Sequence, residues 1–220
     1  MKDGELDHQL HKDVNEGQVI QSFIGQLSST EHDAAAGANI ENVIAIIARL
    51  STADNVVRAL AQNVDALKTL LHHLAAGITK DSLKENILRI IVNCASSADD
   101  TCSIAITRLR GHKAACTAMQ QALQQSSVKS YRNGSGVNSK KLGIRRLAAS
   151  ALRAMSQHQK CRLTMSEDDT VKIMVDVLEK SDDDHDLQAR YSLLPASPCP
   201  NLPSFLVPAR TCLRFAERAC

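Results

Sequence analysis

The chain has no tryptophan, and aromatic residues make up only 2% of its 220 positions. A β-sandwich or barrel draws heavily on aromatic and β-branched side chains, so this composition weighs against one. The hydrophobic 44% is mostly Ala, Leu, Ile and Val, a set that suits closely packed helices. Proline is missing from residues 1–194, and all five prolines, at 195, 198, 200, 203 and 208, fall in one short stretch. A proline inside a helix costs about 3 kcal/mol, so a chain of many short helices has reason to exclude it. Residues 195–220 obey a different rule.

Other absences narrow the function. No segment approaches the roughly 18 consecutive apolar residues of a membrane span. Met1-Lys2-Asp3-Gly4-Glu5 is acidic and opens no apolar secretory region. Seven cysteines, an odd number, include no pair at CxxC spacing, so the thiols read as reduced and buried, in the cytoplasm or nucleus. There is no GxSxG, no phosphate-binding loop and no HExxH. Asn133-Gly134-Ser135-Gly136 lacks the Lys-Ser/Thr that would complete a phosphate loop. Adjacent His72 and His73 would point about 100° apart on a helix, too divergent to share a metal. They read as a boundary pair with one ring exposed. Asp182, Asp184 and Asp186 alternate as in a calcium loop but lack its glycine and closing glutamate. These readings predict a non-enzyme with no cofactor, no metal and no small-molecule substrate.

What the chain does have is a recurring pattern. Ile20, Phe23, Ile24 and Leu27 stand at i, i+3, i+4 and i+7, as do Leu67, Leu70, Leu71 and Leu74. Val171, Met174, Val175 and Leu178 repeat it, and Cys116, Met119, Gln120 and Leu123 form a copy with one polar member. This spacing gathers each quartet on one face of a helix. A second stripe type follows: Val43, Ile46, Ile47 and Leu50; then Ile87, Ile90, Ile91 and Cys94; then Ala148, Ala151, Leu152 and Met155. Short helical segments come after each stripe, around residues 55–61, 101–107 and 160–165. The stripes are 44 and 61 residues apart. Ser126–Gly143, rich in Ser, Gly and Asn, reads as an 18-residue loop insert, and its removal shortens the second step to 43. Periods of this length belong to stacked helical repeats.

The stripe segments IIARLST, IIVNCASS and ALRAMSQ resemble the third helix of the armadillo repeat. VDALKTLLHHLAAG and VKIMVDVLEKS are similar to its second helix. The resemblance covers about residues 14–194 and is shared in part with HEAT-type repeats. It implies an all-α chain: a right-handed α-solenoid of about three armadillo/HEAT-like repeats. Residues 1–13 would form a flexible leader and 195–220 an irregular Pro-rich tail. Leu187, Arg190, Tyr191 and Leu194 would begin another third helix that Pro195 stops. The tail thus reads as an unusual terminus, from alternative splicing or a mispredicted gene end, with a Pro-rich ligand segment as the competing reading.

In armadillo proteins the third helices line a concave groove where an Asn grips the backbone of an extended peptide. Asn93 is the one match to that Asn, with Arg49 and Ala154 at the equivalent places. The family's Trp positions carry Ala45, Arg89 and Ser150. A groove presenting Arg49, Arg89, Asn93, Arg145, Arg146 and Arg153 implies acidic partners, as in catenin-like members, rather than basic ones.

Charge distribution points the same way. Residues 1–100 carry a net −6 and residues 167–220 a net −4, whereas residues 101–166 hold 12 basic residues and no acid. An anionic partner would relieve the repulsion within that middle, although the acidic flanks could also screen it. The expected function is a protein-interaction scaffold or adaptor that takes an acidic peptide or protein surface. The alternatives are nucleic-acid or anionic-surface binding through 101–166, with only Tyr131 nearby to stack a base, and a truncated product without a role of its own.

Overall fold

A computed structural model describes residues 18–29, 37–76, 79–129 and 136–180. Among these residues there are ten α-helices and no strands. They are α1 (Gln18–Ser29), α2 (Gly37–Leu50), α3 (Asp54–Gln62), α4 (Val64–Ala75) and α5 (Asp81–Ser96), then α6 (Thr101–Arg108), α7 (Gly111–Lys129), α8 (Gly136–Ser156), α9 (Gln159–Glu167) and α10 (Thr170–Glu179). No described helix is long and apolar enough to cross a membrane. Residues 1–13, the acidic run 181–186 and the tail 195–220 lie outside the described residues.

The apolar stripes decide which faces meet. Of the twelve stripe residues, all but Ile46 are buried, and Ile46 packs partly buried against the same core. These stripes hold α2 against α5 and α5 against α8. The quartets build a second row, in which α1 packs on α4, α4 on α7, and α7 on α10. The short helices form a third, with α3 on α6 and α6 on α9. Fully burying a Leu or Ile side chain stabilises by roughly 1.5–3 kcal/mol, a gain none of these short helices could realise alone. Asn63 shows how the chain turns between them. Its Oδ1 accepts from the Ala66 N–H at 3.0 Å and caps α4.

Two sequence expectations need correction. Of the expected loop insert 126–143, residues 126–129 and 136–143 are helical: α7 runs on to Lys129 and α8 already begins at Gly136, and residues 130–135 lie outside the described ones. Ser, Gly and Asn are weak helix formers, but propensity yields to packing. Here α8 lies along both α5 and α7, and Lys141 is buried with its ammonium on the Asp81 carboxylate and Gln125 Oε1. The quartet that starts at Val171 is also misplaced by one residue. Val171 is exposed, and the buried face of α10 is built from Thr170, Met174 and Val177, with Ile173 beside them.

A close approach joins α6 and α7 at Gly111. A Cβ at Gly111 would sit 2.3 Å from Ile106 Cγ2 and 3.0 Å from the Ile106 carbonyl oxygen. Only glycine fits there. The preceding residue, Arg110, adopts φ 60°, and among the described residues it is the only non-glycine with positive φ. Such a conformation costs an arginine about 1 kcal/mol relative to glycine.

Candidate functional site

The residues expected to line a groove stand on the α2–α5–α8 row. Arg49, in the last turn of α2, and Arg89, midway along α5, are both exposed, while the Ile87, Leu88 and Ile90 side chains around Arg89 are buried. Asn93 is half-buried one turn beyond Arg89, and its Nδ2 donates to Ser51 Oγ at 2.8 Å. Arg145, Arg146 and Arg153 lie half-buried on α8. The structure therefore puts all six on one row of mutually packed helices, with exposure decreasing from α2 and α5 toward α8.

That surface is not uniformly cationic. Glu41 and Glu85 are half-buried on α2 and α5 at places equivalent to Arg146 on α8. Glu41 is taken up by Lys80, at 2.8 Å. Glu85 lies against Gly143, where an added Cβ would come within 3.1 Å of its Oε1. The guanidinium groups of Arg49 and Arg89 thus share the row with partly satisfied carboxylates.

The acid-free middle of the chain is compensated from outside. Asp168 receives Lys113 at 2.8 Å and the buried His112 ring at 2.9 Å. The bonds from Lys113 and then His112 hold the Asp168 carboxyl below the ordinary aspartate range. At the other end Asp81 takes Lys141. Lys84, buried beside them, donates to Gln121 Oε1 at 2.6 Å. Burial lowers the Lys84 pKa, the Lys141 charge lowers it further, and Asp81 opposes both. Two lysines and one histidine of the cationic stretch are therefore spent on internal partners.

A feature absent from the sequence reading lies between α4 and α7. A groove of about 340 Å³ is floored by Leu71, Leu109 and Ala114 and edged by Lys68, His72, Arg110 and Lys113. No carboxylate lines it. Lys68 and His72 share a face because they are four residues apart on α4. Arg110 and Lys113 join them only through the α4–α7 packing, which no local motif announces. His72 is exposed and His73 half-buried, their ring centroids 6.0 Å apart, as expected of a boundary pair. A smaller cavity of about 140 Å³ between α3 and α6 is lined by Asp54, Arg58, Asp99 and Cys102 among others.

Cys94, Cys102, Cys116 and Cys161 are free and buried. Burial pushes the Cys116 thiol up to about 12, and a bond from Cys102 together with burial raises Cys94 well above the usual thiol range. Among the described residues no three His, Cys, Asp or Glu side chains gather to hold a metal ion. The alternating aspartates 182, 184 and 186 lie outside that set. Comparison with protein-family models, curated proteins and solved structures finds no match to this chain.

Proposed function

We propose that the chain is a non-catalytic interaction scaffold of the armadillo type, a right-handed α-solenoid of about three repeats working in the cytoplasm or nucleus. Support for the repeat reading comes from like packing on like: stripe helices on stripe helices, quartet helices on quartet helices, short helices on short helices. Support for a compartment that keeps thiols reduced comes from the four buried free cysteines.

In this reading the α2–α5–α8 face takes an acidic peptide or acidic protein surface. The observation that carries it is the pair of exposed arginines, Arg49 and Arg89, on consecutive helices of one row. An extended acidic segment laid across the row would pair its carboxylates with them and offer its unpaired backbone groups to Asn93. Affinity capture with the full chain, at low and at high salt, tests this. Acidic partners released by salt are expected, with Arg89→Glu weakening their capture. Salt-independent capture of neutral partners would overturn it.

A second reading, nucleic-acid binding, is favoured by one observation: Arg108, Arg110 and Lys160 are exposed in the acid-free stretch. A gel-shift assay with generic RNA and DNA decides it, since non-specific binders retain roughly 1–100 μM affinity at physiological salt. Absence of any shift would reject this reading.

A further inference from the structure

We infer that the groove between α4 and α7 is a second docking site, separate from the α2–α5–α8 face, for a short acidic peptide carrying one bulky apolar side chain. Its chemistry is that of such a segment in negative. The floor of Leu71, Leu109 and Ala114 would accept an aliphatic side chain, and Arg110, flanked by Lys68 and Lys113 that share their charge with Asp65 and Asp168, would meet carboxylates beside it. With a cavity of about 340 Å³, the groove has room for one anchor residue and its neighbours.

Arg110 singles out this groove from the rest of the basic surface. Just before the close approach at Gly111, residue 110 lies in the left-handed region, where glycine or asparagine is the ordinary choice. An arginine stands there instead, exposed, and no carboxylate among the described residues pairs with it. The residue's backbone is strained and its side chain makes no ion pair among the described residues, which is the pattern of a residue kept for an external partner.

The same geometry argues for a peptide rather than a free phosphate. A phosphate at the start of α7 would need the backbone N–H groups of its first turn. Those of Lys113 and Ala114 already donate to the Arg110 carbonyl, at 2.9 and 3.2 Å. What remains available is side-chain charge around an apolar floor.

The test is fluorescence anisotropy of a labelled peptide, one leucine flanked on each side by glutamates, titrated with the full chain in the Arg89→Glu background. That background disables the other face, so the two readings fail separately. Arg110→Glu is expected to weaken binding about tenfold, the loss of one well-placed charge contact with repulsion added. Arg110→Gly is expected to weaken it as well, while leaving the thermal midpoint unchanged or raised, because the strain is relieved. Replacing the leucine by serine in the peptide should also weaken binding. The inference is overturned if no binding occurs, if either Arg110 variant binds as tightly as its parent, or if the serine peptide binds as well as the leucine one. Displacement of the peptide by millimolar inorganic phosphate would overturn it too, since the site would then be a phosphate site.

Discussion

Asn93 and Ser51, 42 residues apart, are joined by a 2.8 Å hydrogen bond from the Asn93 amide to the Ser51 hydroxyl. The Ser51 hydroxyl in turn donates to the Ala48 carbonyl at 3.0 Å. The pair thus ties the last turn of α5 to the C-terminal end of α2, beside the two exposed arginines. Asn93→Ala removes one bond and leaves Ser51 still bonded within α2. The expected cost is about 1 kcal/mol, or a fall of about 2–4 °C in Tm for a chain of this size. Thermal denaturation followed by circular dichroism checks it, and an unchanged Tm would show that the bond contributes nothing net.

Gly111→Ala should be among the costliest single-carbon additions in the molecule. The new methyl would meet both a side chain and a backbone oxygen of Ile106, and the carbonyl cannot rotate away without disturbing α6. Overpacking of this kind typically costs 1–3 kcal/mol. A denaturant midpoint equal to that of the parent would contradict the close approach.

His73 gives a pH dependence with a definite sign. Burial, and then the neighbouring His72 charge, lowers its pKa from the ordinary 6.5. The unfolded chain therefore binds this proton more readily than the folded one, and folding is disfavoured by acid. The contribution to stability is complete above pH 6.5 and diminishes as pH falls below it, down to the depressed folded value. His73→Gln should flatten stability measured by denaturant melts between pH 7 and pH 5. An equally steep fall in the variant would assign the effect to another group.

Thiol chemistry offers a test of burial. Since burial raises the Cys116 thiol to about 12, alkylation of the native chain at pH 8 should leave Cys116 unmodified, and Cys94 with it. Peptide mapping after the same treatment in denaturant should find both fully modified. Rapid native labelling at Cys116 would mean that α7 is far less enclosed than its contacts with α4, α8 and α10 imply.

Periodicity made the helices legible because Leu, Ile and Val at i, i+3, i+4 and i+7 have only one face to bury. It failed where burial and hydropathy part company. Thr170 is buried and Val171 exposed, so counting apolar letters put the α10 face one residue late. Lys84 and Lys141 look like solvent residues, yet both are buried where α5, α7 and α8 meet. The Ser/Gly/Asn bias of 126–143 reports backbone preference, and the long contact of α8 with two neighbours outweighs it. The α2–α5–α8 arginines were readable because a repeating register aligns them. The α4–α7 groove was not, because its polar rim comes from elements that are remote along the chain.

The counter-charges of the cationic middle bear on how the protein can be dissected. Lys141 depends on Asp81, and Lys113 and His112 depend on Asp168, so each tether reaches across an edge of the acid-free stretch. A fragment cut near residues 100 and 166 would carry twelve positive side chains and leave every one of these carboxylates behind. Although helices could still form, such a piece would not be a smaller working copy of the parent. Genetic or proteolytic trimming should keep Asp81 and Asp168 together on one polypeptide.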